Sequence, residues 1–245
     1  MAKRARRPGR PNGASTAGRR RGTASAARVT PRPTQRTTTR GADAAADAPE
    51  QPRTFRLGAV EGATPGRWID IWRTRMPHVP IELVPIPLSS QRAAIDAVDA
   101  ALVRLPLDDD SLHVIRLYDE TPVVVAAADS HLLAADELTT EDLAGETVIG
   151  VVDDPLRGLR LDGTAPAGFA PLTASEAIAT VASGVGIVVV PMSIARLHHR
   201  KDVDYRVLTD GPASTVGLAW PRDRTTSDVE TFVGVVRGRT ANSSR

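Results

Sequence analysis

The sequence predicts an α/β fold preceded by a basic tail, and three observations carry that expectation. Strand-like and helix-like segments alternate from Phe55 almost to the end of the chain. Several strands are apolar at every position instead of every second one, the pattern of a sheet covered by helices on both faces. Charge also changes abruptly near residue 53. Residues 1–53 hold 13 Lys and Arg against Asp43, Asp47 and Glu50, a net of +10, which leaves −8 on the rest of a chain whose net charge is +2.

The tail comes first. Its only large apolar residues are Met1 and Val29, and prolines recur through a background of Arg, Ala, Thr and Gly. Such a segment cannot bury enough apolar surface to offset its chain entropy, so residues 1–53 are expected to be disordered. They also lack the apolar residues for a helix-turn-helix, which needs about three amphipathic helices around a small core.

The first strand is Phe55 to Val60, followed by a turn at Glu61-Gly62-Ala63. Thr64-Pro65 then reads as an N-cap with proline at the first helical position. Trp68, Ile69, Ile71, Trp72 and Met76 give that helix its apolar face, and Pro77 and Pro80 end it. Ile81 to Ile86 is a second strand, Ser89 or Ser90 caps a helix through Ile95, and Ala100 to Val103 is a third strand. This alternation implies a parallel sheet. The pattern then repeats: a strand at Val123 to Ala127, a capped helix near Thr139 with Asp142 as a weak capping box, and a strand at Val148 to Val152. Ser175 caps a helix through Ala182, Gly184 ends it, and Ile187 to Val190 is a strand stopped by Pro191. Val216 to Trp220 is the last strand, and Ser227 starts a closing helix through Phe232 and Val236.

Three phrases together resemble the effector-binding (substrate-binding) domain of LysR-type transcriptional regulators. They are Asp99-Ala100-Ala101-Leu102-Val103-Arg104-Leu105-Pro106, then Leu117-Tyr118-Asp119-Glu120-Thr121-Pro122 leading to Asp129-Ser130-His131-Leu132-Leu133-Ala134, and Val181-Ala182-Ser183-Gly184-Val185-Gly186-Ile187-Val188-Val189-Val190-Pro191. The resemblance covers about 55–240. It implies the two-lobed type II periplasmic-binding-protein fold, with a ligand cleft between the lobes. The domain is then 54–240, with a first lobe of about 55–120 and 210–240 and a second of about 121–208. Crossings fall near Thr121 and Thr209, and residues 241–245 form a basic C-terminal tail. The family carries an N-terminal winged helix-turn-helix, and the expectation here is that the arginine-rich tail stands in its place. A small-molecule effector is expected as ligand, and the family resemblance implies a homodimer, through first-lobe helices such as the one carrying Trp68 and Trp72; the alternative keeps both tryptophans in the core of a monomer.

In such a fold, ligands sit where strand ends and helix N-termini converge, because free backbone N–H groups favour anions there. Gly62 and Thr64 after the first strand are candidates, with Thr64 either contacting ligand or only capping its helix. Ser89 follows the second strand. Arg104 either faces ligand or forms a structural ion pair with an acid of the body. Asp153 at a strand end and Thr173 and Ser175 at a helix start complete the set. In the tail, Arg6-Arg7-Pro8-Gly9-Arg10-Pro11 resembles the core of an AT-hook, whose arginine enters narrow A·T minor grooves. Arg6, Arg7 and Arg10 are thus candidate DNA contacts; unspecific attraction to nucleic acid and an inert solubilising tail are the alternatives.

Catalytic and metal chemistry find little support. The chain has no cysteine, which excludes disulfides, thiolate metal sites and cysteine nucleophiles. No Gly-x-Ser-x-Gly elbow occurs. Gly184-x-Gly186 lacks a third glycine and ends a helix instead of opening one. The histidines show no ligand spacing, and Asp108-Asp109-Asp110 reads as a solvated loop. No cofactor or metal is expected. The longest apolar run, Gly184 to Met192, is far short of a bilayer span. No apolar segment follows the basic N-terminus, Arg6–Arg7 and Arg19–Arg20 included, so no export signal is expected. The expectation is a cytoplasmic, non-enzymatic sensor without membrane contact. The alternative is a solute-binding or ligand-sensing protein that does not bind DNA.

Overall fold

A computed structural model describes residues 53–238. The expected disorder of 1–53, the AT-hook-like arginines Arg6, Arg7 and Arg10 and the C-terminal tail 241–245 lie outside the described residues, apart from Arg53.

Two main sheets organise the chain. The first has the order β2-β1-β3-β11-β4, built from β1 (Phe55–Ala59), β2 (Ile81–Pro85), β3 (Ala100–Arg104), β4 (Leu112–Glu120) and β11 (Ser214–Pro221). The second has the order β6-β10-β5-β9, from β5 (Pro122–Ala127), β6 (Glu137–Leu138), β9 (Val188–Pro191) and β10 (Val203–Leu208). A ribbon of β7 (Thr147–Val148) and β8 (Ala165–Pro166) flanks it in the chain. The chain passes between the main sheets twice. Only Thr121 separates β4 from β5, and residues 209–213 lead from β10 back to β11.

The sheets are mixed, not purely parallel as the alternation implied. β1 runs parallel to β2 and β3, but β11 enters antiparallel between β3 and β4. In the second sheet β5 is antiparallel to both β10 and β9. The cause is the double crossing: β5 extends β4 with a single intervening residue, and β11 returns only after the second sheet is complete.

The unalternating strands are explained by burial on both faces. In β5, Val123 and Val125 face one core cluster while Val124 and Ala126 face another. Helix α3 (Ala174–Val181) covers the first of these with Ala174, Ala177, Ile178 and Val181, joined by Ile194 of α4 (Met192–Leu197). In the first sheet, Leu57 and Leu102 pack beneath α1 (Gly66–Arg75) and α5 (Ser227–Val236). Phe55, Trp72 and Phe232 stack there at centroid distances of 4.6, 5.1 and 5.8 Å. Trp72 is fully buried, and its indole N–H donates to the Val79 carbonyl at 2.9 Å. Trp72 therefore serves this core and offers nothing to a partner; Trp68, half-buried, packs against the same cluster. The opposite face of the sheet is closed by Ile95 of α2 (Gln91–Ile95) with Val98, Ala101 and Val103.

Several local expectations need correction. Pro65, not Thr64, occupies the cap position of α1, and no side chain caps that helix. Neither Ser89 nor Ser90 caps α2 with its side chain. The helix expected near Thr139 is a short 3-10 turn at Glu141–Leu143, although Thr139 does donate to Asp142 at 2.8 Å. The strand expected at Val148 to Val152 is reduced to β7 and a bridge from Val151 to Leu172. Thr173, not Ser175, caps α3. Asp108 and Asp110 are exposed, as a solvated loop requires, and Asp109 between them is bonded locally. It accepts from the Ser111 amide at 2.8 Å and the Ser111 hydroxyl at 2.5 Å and pairs with Arg92, which hold its carboxyl down to about 2.

Candidate functional site

The β1–α1 loop brings the two sheets together. Gly62 has φ +81, and a Cβ built there would stand 2.5 Å from the Ser193 hydroxyl and 2.9 Å from Cγ1 of Ile194, both on α4. Only glycine satisfies both the left-handed backbone and so close an approach. Beside this contact lies a cavity of about 480 Å³, lined by Gly62, Thr64, Glu120, Thr121, Met192 and Arg196 among others. Thr64, relieved of a capping role, is exposed on its wall.

Beneath the loop sits a buried ion pair. Arg104 is 3% and Glu120 8% exposed, and Nη1 of Arg104 lies 2.6 Å from Oε2 of Glu120. The same Nη1 donates to the Ser214 hydroxyl at 3.1 Å, and Nη2 donates to the Glu61 carbonyl at 3.3 Å. Gln91 fixes the arginine backbone by donating to its carbonyl and accepting from its amide, both at 2.9 Å. Such a pair holds its place because each charge is hydrogen-bonded as well as paired. Of the two alternatives for Arg104, the structure contains the ion pair. Its Nε and the hydroxyl of Tyr118 are buried without a hydrogen-bond partner. Both flank Val216 in the sheet register.

Further bonds join the segments of the two sheets. The Ser193 hydroxyl donates to Oε2 of Glu120 at 2.7 Å, and the Ser214 hydroxyl donates to the Pro155 carbonyl at 2.9 Å. The Ser89 hydroxyl donates to Oδ2 of Asp153 at 3.0 Å. Asp153 is the one non-glycine residue among those described with a left-handed backbone, φ 58. The His198 ring nitrogen Nε2 lies 2.6 Å from Oε1 of Glu61. At the cavity, Asp119 is held below the usual carboxylate range by Thr215 and then Arg116. Arg196 donates to the Tyr205 hydroxyl at 3.1 Å.

The sequence-derived candidates are thus distributed unevenly. Gly62 and Thr64 line the cavity, Arg104 supports it through Glu120, and Ser89 with Asp153 bridges the two sheets' loops. Thr173 and Ser175 stand at the start of α3 and do not line that cavity. Thr173 is committed to a capping box: its hydroxyl accepts from the Glu176 amide at 3.3 Å, and the Glu176 carboxylate accepts the Thr173 amide at 3.0 Å. The Thr173 hydroxyl, which also donates to that carboxylate at 2.7 Å, and then the Thr173 amide hold the Glu176 carboxyl below its ordinary value. Glu120, Ser193, Ser214, Met192 and Arg196 were not anticipated. The available signal was a carboxylate one residue before a crossing. Among the described residues no group of His, Asp and Glu is arranged to hold a metal ion, and no helix is long and apolar enough to cross a membrane.

The comparisons agree with this architecture. The model of the LysR substrate binding domain matches residues 49–241. The HTH-type transcriptional regulator CatR of Pseudomonas putida is 32% identical over 125 residues, which is 47% of this chain and 43% of that protein. The match therefore spans less than half of that regulator's length. Among solved structures, the BenM effector binding domain with its effector benzoate superposes with TM-score 0.64 at 21% identity, covering 76% of this chain and 91% of that one. The reduced OxyR regulatory domain from Pseudomonas aeruginosa gives TM-score 0.61 at 19% identity over 76% and 98%. These likenesses show the fold to be the two-lobed, periplasmic-binding-protein-like one. With a family model matched over most of its length, the chain belongs to the LysR substrate binding domain family.

Proposed function

We propose that this chain is a cytoplasmic sensor that closes its two lobes on a small metabolite and regulates transcription. The observation that carries the reading is the cavity of about 480 Å³ beside the first crossing, walled by the β1–α1 loop, the end of β4 and helix α4. A volume of this order suits a small organic ligand. In this reading Gly62 and Thr64 contact the effector, Ser89 and Asp153 act at the loops facing across the cleft, and Thr173 and Ser175 present the α3 N-terminus. Arg104 takes part by shaping the floor. The relationship to a regulator such as CatR supports the regulatory part, and the +10 charge on residues 1–53 supports DNA contact through the tail, including Arg6, Arg7 and Arg10. A homodimer completes the proposal.

The test is a thermal-shift screen of small organic acids, with benzoate first because the BenM structure holds it as effector. A ligand at a hundred times its Kd stabilises the native state by about 2.7 kcal/mol. For a domain of this size that is a rise of roughly 5–10 °C. The shift should shrink in Thr64→Val. Flat melting curves across a broad metabolite panel would count against the sensor reading.

A further inference from the structure

We propose that Arg104 is the pin of the interlobe hinge, a positioning residue that acts through Glu120 and Ser214. The proposal rests on reading the cleft as the moving part of the molecule. Both passages of the chain between the sheets meet at this guanidinium. Glu120 is the last residue of β4, one residue before the first crossing ends in β5, and Ser214 is the first residue of β11, where the second crossing ends. Nη1 of Arg104 holds both, at 2.6 Å and 3.1 Å. Each of these two residues then reaches a segment on the far side of the cleft, Glu120 accepting from Ser193 at 2.7 Å and Ser214 donating to Pro155 at 2.9 Å. A single buried cation thus sits where two otherwise separate interlobe bonds converge.

Burial gives the arrangement its consequence. At 3% exposure the guanidinium cannot exchange its partners for bulk water without the floor coming apart. Gln91 clamps its backbone from both sides, so the pin belongs rigidly to the first lobe while its partners sit at the crossings. Loosening one crossing shifts the Glu120 carboxylate, weakens its hold on Nη1, and so alters the bond from the same nitrogen to Ser214. The two crossings therefore open together. An effector that perturbs Glu120, which lines the cavity, is felt at the second crossing as well.

Amide hydrogen exchange on the full chain without added ligand tests this directly, using Ser193→Ala. Ser193 touches Glu120 and makes no bond to Ser214 or Pro155. Losing a hydrogen bond to a charged group changes a local opening equilibrium by about tenfold. The amides of 119–121 and 123 should exchange about tenfold faster. Those of 209–211 and 213–216 should follow by a factor of a few, with Leu57 and Leu218 unchanged. In an Arg104→Lys background, which keeps the charge but loses the forked geometry, the distant response should vanish. A response confined to 119–123, no response, or uniform loosening of the first lobe would overturn the proposal. If Arg104→Lys does not fold, the Ser193→Ala comparison alone still decides. Because no ligand is added, failure here is distinct from failure to find an effector.

Discussion

At the scale of single residues, backbone geometry and side-chain bonding make separate predictions. Gly62 combines φ +81 with a space that a methyl group would overfill, whereas Gly66 opens α1 with nothing within 4 Å of its added Cβ. Gly62→Ala should therefore destabilise by about 1–3 kcal/mol, from left-handed strain and displacement of the loop from α4. Gly66→Ala should be neutral or slightly stabilising. Urea unfolding of both variants gives the contrast directly; equal effects would mean that the loop and α4 are not in contact. Asp109 makes a pH-dependent prediction. Its carboxyl lies at about 2 in the folded chain against an ordinary 3.8, lowered first by Ser111 and then by Arg92. A depressed carboxylate stabilises the fold above its unfolded value and loses that contribution as pH falls through the folded one. Wild type and Asp109→Asn should therefore differ in melting temperature above about pH 4 and converge toward pH 2. A constant offset would locate the effect elsewhere.

At the scale of elements, α3 is held at its start by Thr173, and Ser175 contributes no cap. Thr173→Ala should cost about 1 kcal/mol, and Ser175→Ala should stay within about 0.5 kcal/mol; denaturant midpoints of the two variants distinguish them. Both are hydroxyl residues near one helix start, and what separates them is Glu176, three residues after Thr173, which closes the reciprocal box. That spacing is readable in the sequence, but Ser175 stands closer to the apolar run and offers the same hydroxyl. The strands buried on both faces, β3, β5 and β9, were legible because no polar residue interrupts them. β4 and β10 were not, since Leu112–Glu120 and Val203–Leu208 carry His, Arg, Asp and Tyr on partly exposed faces. The short α4 follows a proline and has too few turns to show a period. Within the site, the polar residue types near strand ends were visible, but the pairing was not. Arg104 and Glu120 are 16 positions apart and Arg104 and Ser214 are 110, and no local pattern marks such partners.

At the scale of the whole molecule, assembly and the charged tail are the open determinants. With Trp72 enclosed, a homodimer must use the outer face of α1, where Arg67, Asp70, Arg73 and Thr74 are exposed, or another surface. Light scattering at micromolar concentration should report the mass of two chains. The tail makes the sharper prediction, because its charge is opposite in sign to that of the body it precedes. A body of net charge −8 repels DNA, so any affinity must come from the +10 of residues 1–53. Each phosphate neutralised releases counterions, and six such contacts give a slope of about −5 for log affinity against log salt. Full-length protein should therefore shift DNA in a mobility titration at low salt and release it steeply as salt rises, while residues 54–245 alone do not bind. If Arg10 enters A·T minor grooves, Arg10→Ala should abolish any preference for A·T tracts while lowering total affinity only slightly, since one arginine among many carries the sequence dependence. Binding by full-length protein without that preference reduces the tail to unspecific attraction. Equal and negligible binding by both forms removes DNA contact through the tail and leaves protein contacts as the route from effector to transcription.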